Sequence, residues 1–219
     1  MSAAAARGRL VIAVDGPAAS GKGTIARALA RHFGLPHLDT GLLYRATGIG
    51  LLRAGGDAAD ARAALAATGF ADALLSDPEL KSDVAGRAAS IVSAHPAVRA
   101  ALLERQRRFA AREGGAVLDG RDIGTVIAPQ AEAKLFITAR PEVRANRRHA
   151  ELIRLGIAAE PATVLADIRA RDARDAGRAV APLRQADDAA LIDTSDLDID
   201  AAIAAAIALV EQRMAAART

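Results

Sequence analysis

Residues 16–24 read GPAASGKGT, a G-x-x-x-x-G-K stretch extended by Gly23 and Thr24. That is the spacing of a phosphate-binding loop. Glycine lets the backbone wrap tightly, so that successive N–H groups point inward at phosphate oxygens. A helix opening near Lys22 would add its unpaired N–H groups and the positive end of its dipole. Lys22 supplies a mobile point charge for the terminal phosphates. The chain holds 26 arginines and three lysines, so a lysine here signals that the ammonium itself is needed. Gly23 cannot ligate Mg²⁺ through a side chain, which leaves Thr24 or water for that task. The stretch predicts a triphosphate seat built from Gly16, Pro17, Ala18, Ala19, Ser20, Gly21, Lys22, Gly23 and Thr24.

Three more clusters could meet a phosphorylated partner. LDTGLLYR, 38–45, brings Thr40, Tyr44 and Arg45 to a helix start. LDGRD, 118–122, brings Asp119, Arg121 and Asp122 to the end of a strand. In RARDARDAGR, 169–178, Arg171, Arg174, Asp175 and Arg178 fall on one helical face. Arg140, Arg144, Arg147 and Arg148 do the same one helix earlier. Residues 139–178 hold nine arginines and six acids, the composition of a hinged basic lid over a triphosphate. Phosphoryl transfer needs positive charge spread over the equatorial oxygens and exclusion of water, with little covalent help. No catalytic base is required, because the acceptor oxygen is already anionic.

The elements that must position these groups are legible. Residues 9–15, 35–39, 116–122, 133–139 and 189–195 read as short apolar strands. Residues 22–33, 40–56, 96–115, 141–156, 161–178 and a final segment to about 217 read as helices. A Thr40 cap opens the second of these. Strands alternating with helices predict a P-loop-type α/β fold, a parallel sheet covered by helices on both faces. Its ligands would sit at the carboxyl ends of the strands. Residues 56–95 are alanine-rich with little strand signal and read as an inserted acceptor-side subdomain. The expectation is one domain over 1–219: core 9–55, 96–140 and 179–217, insertion 56–95, and lid 141–178.

Composition narrows the function. Over half of the residues are apolar and only 2% are aromatic, so the core must be Ala, Val, Leu and Ile. No cysteine is present, which removes disulfides and thiolate chemistry. Net charge is +3, but acids interleave with the arginines and aromatic stacking platforms are missing, which argues against a nucleic-acid partner. No run reaches the length of a membrane span. The alanine-rich start reads as a tail rather than a signal segment. A cytoplasmic monomer is the expectation. No NKxD-type guanine-reading motif supports a nucleotide switch. A kinase of the same fold for UMP, AMP or shikimate is the remaining alternative.

DGPAASGKGT, LDTGLLYR, ASIVSAHPAVRAALLERQRRFA, LDGRDIGTVIAP and RDARDAGRAVAPL together resemble the bacterial cytidylate kinase family over roughly residues 9–210. The resemblance implies transfer from ATP, with Mg²⁺, to CMP or dCMP. Residues 16–24 and Arg147 would hold ATP. Lys22, Arg121 and Arg178 would be catalytic. Arg45, Arg121 and Arg178 would grip the acceptor phosphate. Ser90, Arg99 and Asp122 would read cytosine, Thr40 would seat the nucleotide, and Arg171 and Asp175 would meet the sugar. No protein metal ligand is implied. Larger members of that family carry β-strands between the equivalents of Arg45 and Ser90, where this chain has a short interval.

Overall fold

The structure, a computed structural model, describes residues 9–216. The tail reading and the far end of the final helix, at 217, lie outside the described residues.

Five strands form one parallel sheet: β1 (Leu10–Asp15), β2 (His37–Asp39), β3 (Gly115–Gly120), β4 (Ala133–Thr138) and β5 (Ala190–Asp193). Their order is β2-β3-β1-β4-β5. β1 is central, pairs with β3 and β4, and is buried along its whole length. This explains its unbroken apolar run, since a strand covered on both faces needs no polar alternation. The order reverses about β1, so the crevice at its carboxyl end is where an open parallel sheet binds ligands.

Helices cover both faces. α1 (Lys22–Phe33) and α8 (Ile199–Ala216) pack Ile25, Leu29, Ala206 and Val210 against Ile12, Val14, Leu135 and Ile137. The opposite face packs Val11, Ala13 and Leu118 under α5 (Pro96–Ala110) and a π-turn at Ile123–Ile127. α1 ends on Gly34 in the left-handed region, with the N–H groups of Gly34 and Leu35 both reaching Ala30 O.

α2 (Thr40–Arg53), α3 (Ala61–Ala66) and α4 (Asp83–Val92), with three short 3₁₀ turns between the last two, form a second hydrophobic cluster around Leu43, Tyr44, Val92, Val98 and Leu102. No strand forms among residues 57–95, in keeping with their shortage of β-branched side chains. α2 and α4 approach closely at Gly48, where a Cβ would stand 2.6 Å from Ala88 Cβ. Small residues thus replace aromatics as the packing device.

α6 (Pro141–Arg154) and α7 (Pro161–Ala176) form an antiparallel pair over the strand ends. α5, α6 and α7 each open with proline at the first helical position. The pair buries Ala145, Leu152, Val164 and Ile168 against Ala18 of the glycine loop.

Two details differ from the sequence reading. Asp39, not Thr40, caps α2: its carboxylate accepts from Gly41 N at 2.9 Å, while the Thr40 hydroxyl donates to Asp119 O at 2.9 Å. A carboxylate is the better cap here, and the hydroxyl is more useful binding β3. The segment after β3, read as a simple loop, closes into the π-turn, with Ile127 N and Ala128 N donating to Asp122 O and Ile123 O.

Candidate active site

The glycine loop leaves β1 at Gly16 and enters α1 at Lys22. At Gly16 (φ 149°) a Cβ would lie 2.0 Å from Ile137 O, so only glycine lets the loop press against β4. Gly21 precedes the helix with φ 90°, and Ala19 adopts φ 57°. No side chain caps α1 and no acid sits in its first turn. Its leading N–H groups are therefore left for an anion.

Lys22 Nζ folds back to Pro17 O at 3.4 Å. Burial, then Arg121, push its ammonium down to about 7, against the pull of Asp119 and Asp39. Asp39 is itself pushed up, by burial and by Asp119. His37 Nε2 lies 2.7 Å from Asp119 Oδ1, and Asp119 Oδ2 stands 3.7 Å from where a Gly23 Cβ would be. Thr24 accepts from Arg27 Nη2 at 3.3 Å. Ser20 Oγ is buried without a partner. Asp15, at the end of β1, is buried and pushed up to about 7 by desolvation, although Gly124 N and Ile123 N both donate to it.

Across the cleft three arginines, Arg121, Arg171 and Arg178, gather around Asp175, and Arg45 stands behind them. Arg121 Nε donates to Asp175 Oδ2 at 2.7 Å and Arg178 Nη2 to Asp175 Oδ1 at 2.5 Å. Burial acts to raise Asp175, yet Arg121, Arg178 and Arg171 hold its carboxyl below the usual range. Burial and then Arg121 press Arg171 down to about 9. Arg45 is lowered by burial, and its Nη1 donates to Leu80 O at 2.6 Å and to Ser82 O at 3.2 Å. A Cβ at Gly86 would meet both Arg45 and Arg171 within 4 Å. Arg171 Nε and Arg178 Nε are buried with no acceptor. Buried guanidinium groups in excess of their counter-charges are costly, and an incoming anion relieves that cost.

Arg99 and Asp122 form a buried ion pair, and the Arg99 guanidinium sits 5.6 Å from the Tyr44 ring centroid. Ser90 Oγ accepts from Arg174 Nε at 3.0 Å, and Ser93 Oγ from Arg178 Nη2 at 2.8 Å. The structure thus brings Lys22, Arg45, Arg121, Arg171, Asp175 and Arg178 together, with Ser90, Arg99 and Asp122 along the α4 and α5 side. Thr40 is buried. Arg147 stands apart: it donates to Thr194 Oγ1 at 2.9 Å and Thr194 O at 2.6 Å, and Thr194 in turn donates to Ser20 O.

The shared arginine face divides. Arg140 and Arg169 make exposed pairs with Asp196 and Glu142. Arg174 serves Ser90, and Arg178 lies beyond the end of α7. Arg144 is the participant that residue types alone did not single out. It is buried and donates to Ala139 O, to Ala18 O in the glycine loop at 3.2 Å, and bidentately to Asp172 on α7. Asp15 and Asp39 were unmarked as site groups, whereas the sequence marks Asp119 beside Arg121 and Asp122. Their strand-end positions at 15, 39 and 119, one on each of three adjacent strands, were the available signal.

A parallel sheet with a glycine loop after its central strand and an arginine-lined cleft above it defines a P-loop kinase-type fold. The fold is similar to that of a gluconokinase from Sinorhizobium meliloti 1021, with TM-score 0.56 and 17% identity over 97% of each chain. It is also similar to an uncharacterized protein from Eubacterium ventriosum ATCC 27560, with TM-score 0.55 and 16% identity, covering 93% of this chain and 99% of that one. These likenesses concern architecture.

Residues 12–212 match the cytidylate kinase family. A cytidylate kinase from Xanthobacter autotrophicus (strain ATCC BAA-1158 / Py2) is 62% identical, covering 94% of this chain and 99% of its own. One from Methylobacterium sp. (strain 4-46) is 63% identical, covering 93% and 98%. The chain belongs to the cytidylate kinase family.

Proposed function

We propose that this chain transfers the γ-phosphoryl group of ATP to CMP or dCMP, giving ADP and (d)CDP. The observation that carries the reading is the buried arginine cluster beside the glycine loop: Arg121, Arg171 and Arg178 around Asp175, with Arg45 next to Arg171, and two of the four with buried Nε–H groups lacking an acceptor. A nucleoside monophosphate supplies the missing anion. Lys22, Arg121 and Arg178 then lie between donor and acceptor and stabilise charge as the phosphoryl group moves. Arg45, Arg121 and Arg178 hold the acceptor phosphate, and Arg171 and Asp175 meet the sugar. Asp122 accepts from the cytosine amine while Arg99 and Ser90 donate to the ring acceptors. Uracil, with a carbonyl in place of the amine, repels Asp122. Thr40 holds β3 and α2 together beneath the nucleotide.

Gly16 to Thr24 receive the ATP phosphates, with Arg147 at the rim through Thr194. The oxygen donors facing Lys22, Asp39 and Asp119, with the Thr24 hydroxyl, suit a hard ion such as Mg²⁺. We take the ion to arrive with ATP, no protein ligand being assigned to it. That ion, when bound, neutralises charge on the β- and γ-phosphates. Residues 56–95 serve the acceptor, 141–178 close over the donor, and the remainder is the core. Among the described residues no helix is long and apolar enough to cross a membrane. We assign a cytoplasmic monomer with small-molecule partners and no nucleic acid.

Thermal unfolding tests the phosphate seat. CMP at about 100 times its Kd stabilises by about 2.7 kcal/mol, which lifts Tm by roughly 5–10 °C. Cytidine at the same concentration gives far less, and UMP falls below CMP and dCMP. Equal shifts from cytidine and CMP would remove the arginine cluster from the acceptor site.

A further inference from the structure

Asp15 does something the reaction scheme above leaves unassigned. It ends β1, immediately before Gly16. Its Oδ1 accepts from Ile123 N and its Oδ2 from Gly124 N, each at 2.8 Å. Those two N–H groups open the π-turn directly after Arg121 and Asp122. The carboxylate is only 4% exposed. Lys134, beneath the turn on β4, gives its ammonium to Pro129 O and Asp188 instead. A Cβ at Gly124 would lie 3.2 Å from Lys134 Cδ and 3.4 Å from Asp15 Oδ2, so the turn is gripped from both sides. The charged groups that face Asp15 are Asp122 and Arg121 on the turn it binds.

A buried carboxylate is an expensive way to hold a turn unless geometry is what it secures. We propose that Asp15 is a positioning residue for the acceptor: it fixes the segment bearing Arg121 and Asp122 to the root of the glycine loop. One side chain thereby sets the distance between the donor and acceptor seats. In-line transfer is sensitive to shifts of about 1 Å, enough for roughly hundredfold losses. This inference rests on the kinase reading above.

The test compares wild type, Asp15→Asn and Gly124→Ala. Asparagine keeps the shape but turns an N–H donor toward one of the two backbone N–H groups. The alanine adds a methyl 3.2 Å from Lys134 Cδ and 3.4 Å from Asp15 Oδ2, which presses the turn from the Lys134 side. ATP affinity is measured by calorimetry, CMP KM and kcat by ADP release, and Tm by scanning. The expected result is a CMP KM raised, or kcat lowered, by about tenfold or more, with ATP Kd within about twofold. Assays run well below the Tm of each variant. Unchanged kinetics, or ATP and CMP weakened alike, overturns the proposal. If Asp15→Asn does not fold, Gly124→Ala decides on the same criteria, and a failure of both to fold makes Asp15 a fold residue and also overturns it. Wild-type turnover of CMP tests the acceptor assignment separately, so the two failures are distinguishable.

Discussion

At the scale of single residues, Lys22 illustrates how a site prepares for a charge it does not yet hold. Burial and Arg121 keep its ammonium near 7, so in the free protein it loses its proton as pH rises through that value. A bound triphosphate favours the charged form and returns the proton. Calorimetry in buffers of differing ionisation heat, at about pH 8, then reads proton uptake on ATP binding, and Lys22→Ala abolishes it. That variant also loses turnover by about 10²–10³-fold while keeping its fold. Near-normal activity would detach the loop from catalysis. Asp122, proposed to accept from the cytosine amine, also pairs with Arg99, so removing it strands that buried guanidinium. Asp122→Ala is predicted to cost about 3–5 kcal/mol of stability and to weaken CMP far more than ATP. Pairing it with Arg99→Met restores stability without restoring CMP affinity; recovery of both in the double variant would make the pair purely structural.

At the scale of elements, the strands, the glycine loop and its helix were legible because each follows from local rules: apolar runs, glycine at tight turns, proline at helix starts. The roles within the arginine helices were not. Arg144 and Arg148 are indistinguishable in type and sit one turn apart, yet Arg144 joins the glycine loop to Asp172 while Arg148 binds Asp83 and Glu151. Only the docking of α6 and α7 on the sheet decides which face is inward. The π-turn was likewise hidden, because its first two N–H groups are taken by Asp15, over a hundred residues away. Gly16 shows the opposite case, a local signal with a long-range cause. Gly16→Ala drives a Cβ into Ile137 O and is expected to cost at least about 2 kcal/mol, read as a lower denaturation midpoint. An unchanged midpoint would mean that the loop does not pack on β4 as described.

At the scale of the molecule, the two sides of the cleft are tied together. Arg148 pairs with Asp83 at the start of α4, Arg87 with Asp167 at 3.0 Å, and Arg174 with Ser90. These ties join α4 to α6 and α7, so the elements proposed to hold the acceptor and those bearing the arginines meet directly. Asp83→Asn weakens the tie of Arg148 to α4, leaving Arg148 on Glu151, and is predicted to raise the CMP KM severalfold, with a change in Tm under about 2 °C, because the pair is partly exposed. A large fall in Tm with KM unchanged would make the tie a stabilising contact alone. Family membership was visible in the sequence because three of its five motifs follow β1, β2 and β3, where chemistry restricts residue choice most. The arginine cluster beside Asp175 emerged only once three distant segments, α2, the end of β3 and α7, had met.

The central claim is that the cleft joins ATP to a cytosine nucleotide. A coupled ADP-release assay with ATP, Mg²⁺ and CMP, dCMP, UMP, AMP, GMP or shikimate tests it most directly. The account predicts strong turnover on CMP and dCMP, weak turnover on UMP and none on the rest. Turnover chiefly on another acceptor, or on none while ATP still binds, would contradict it.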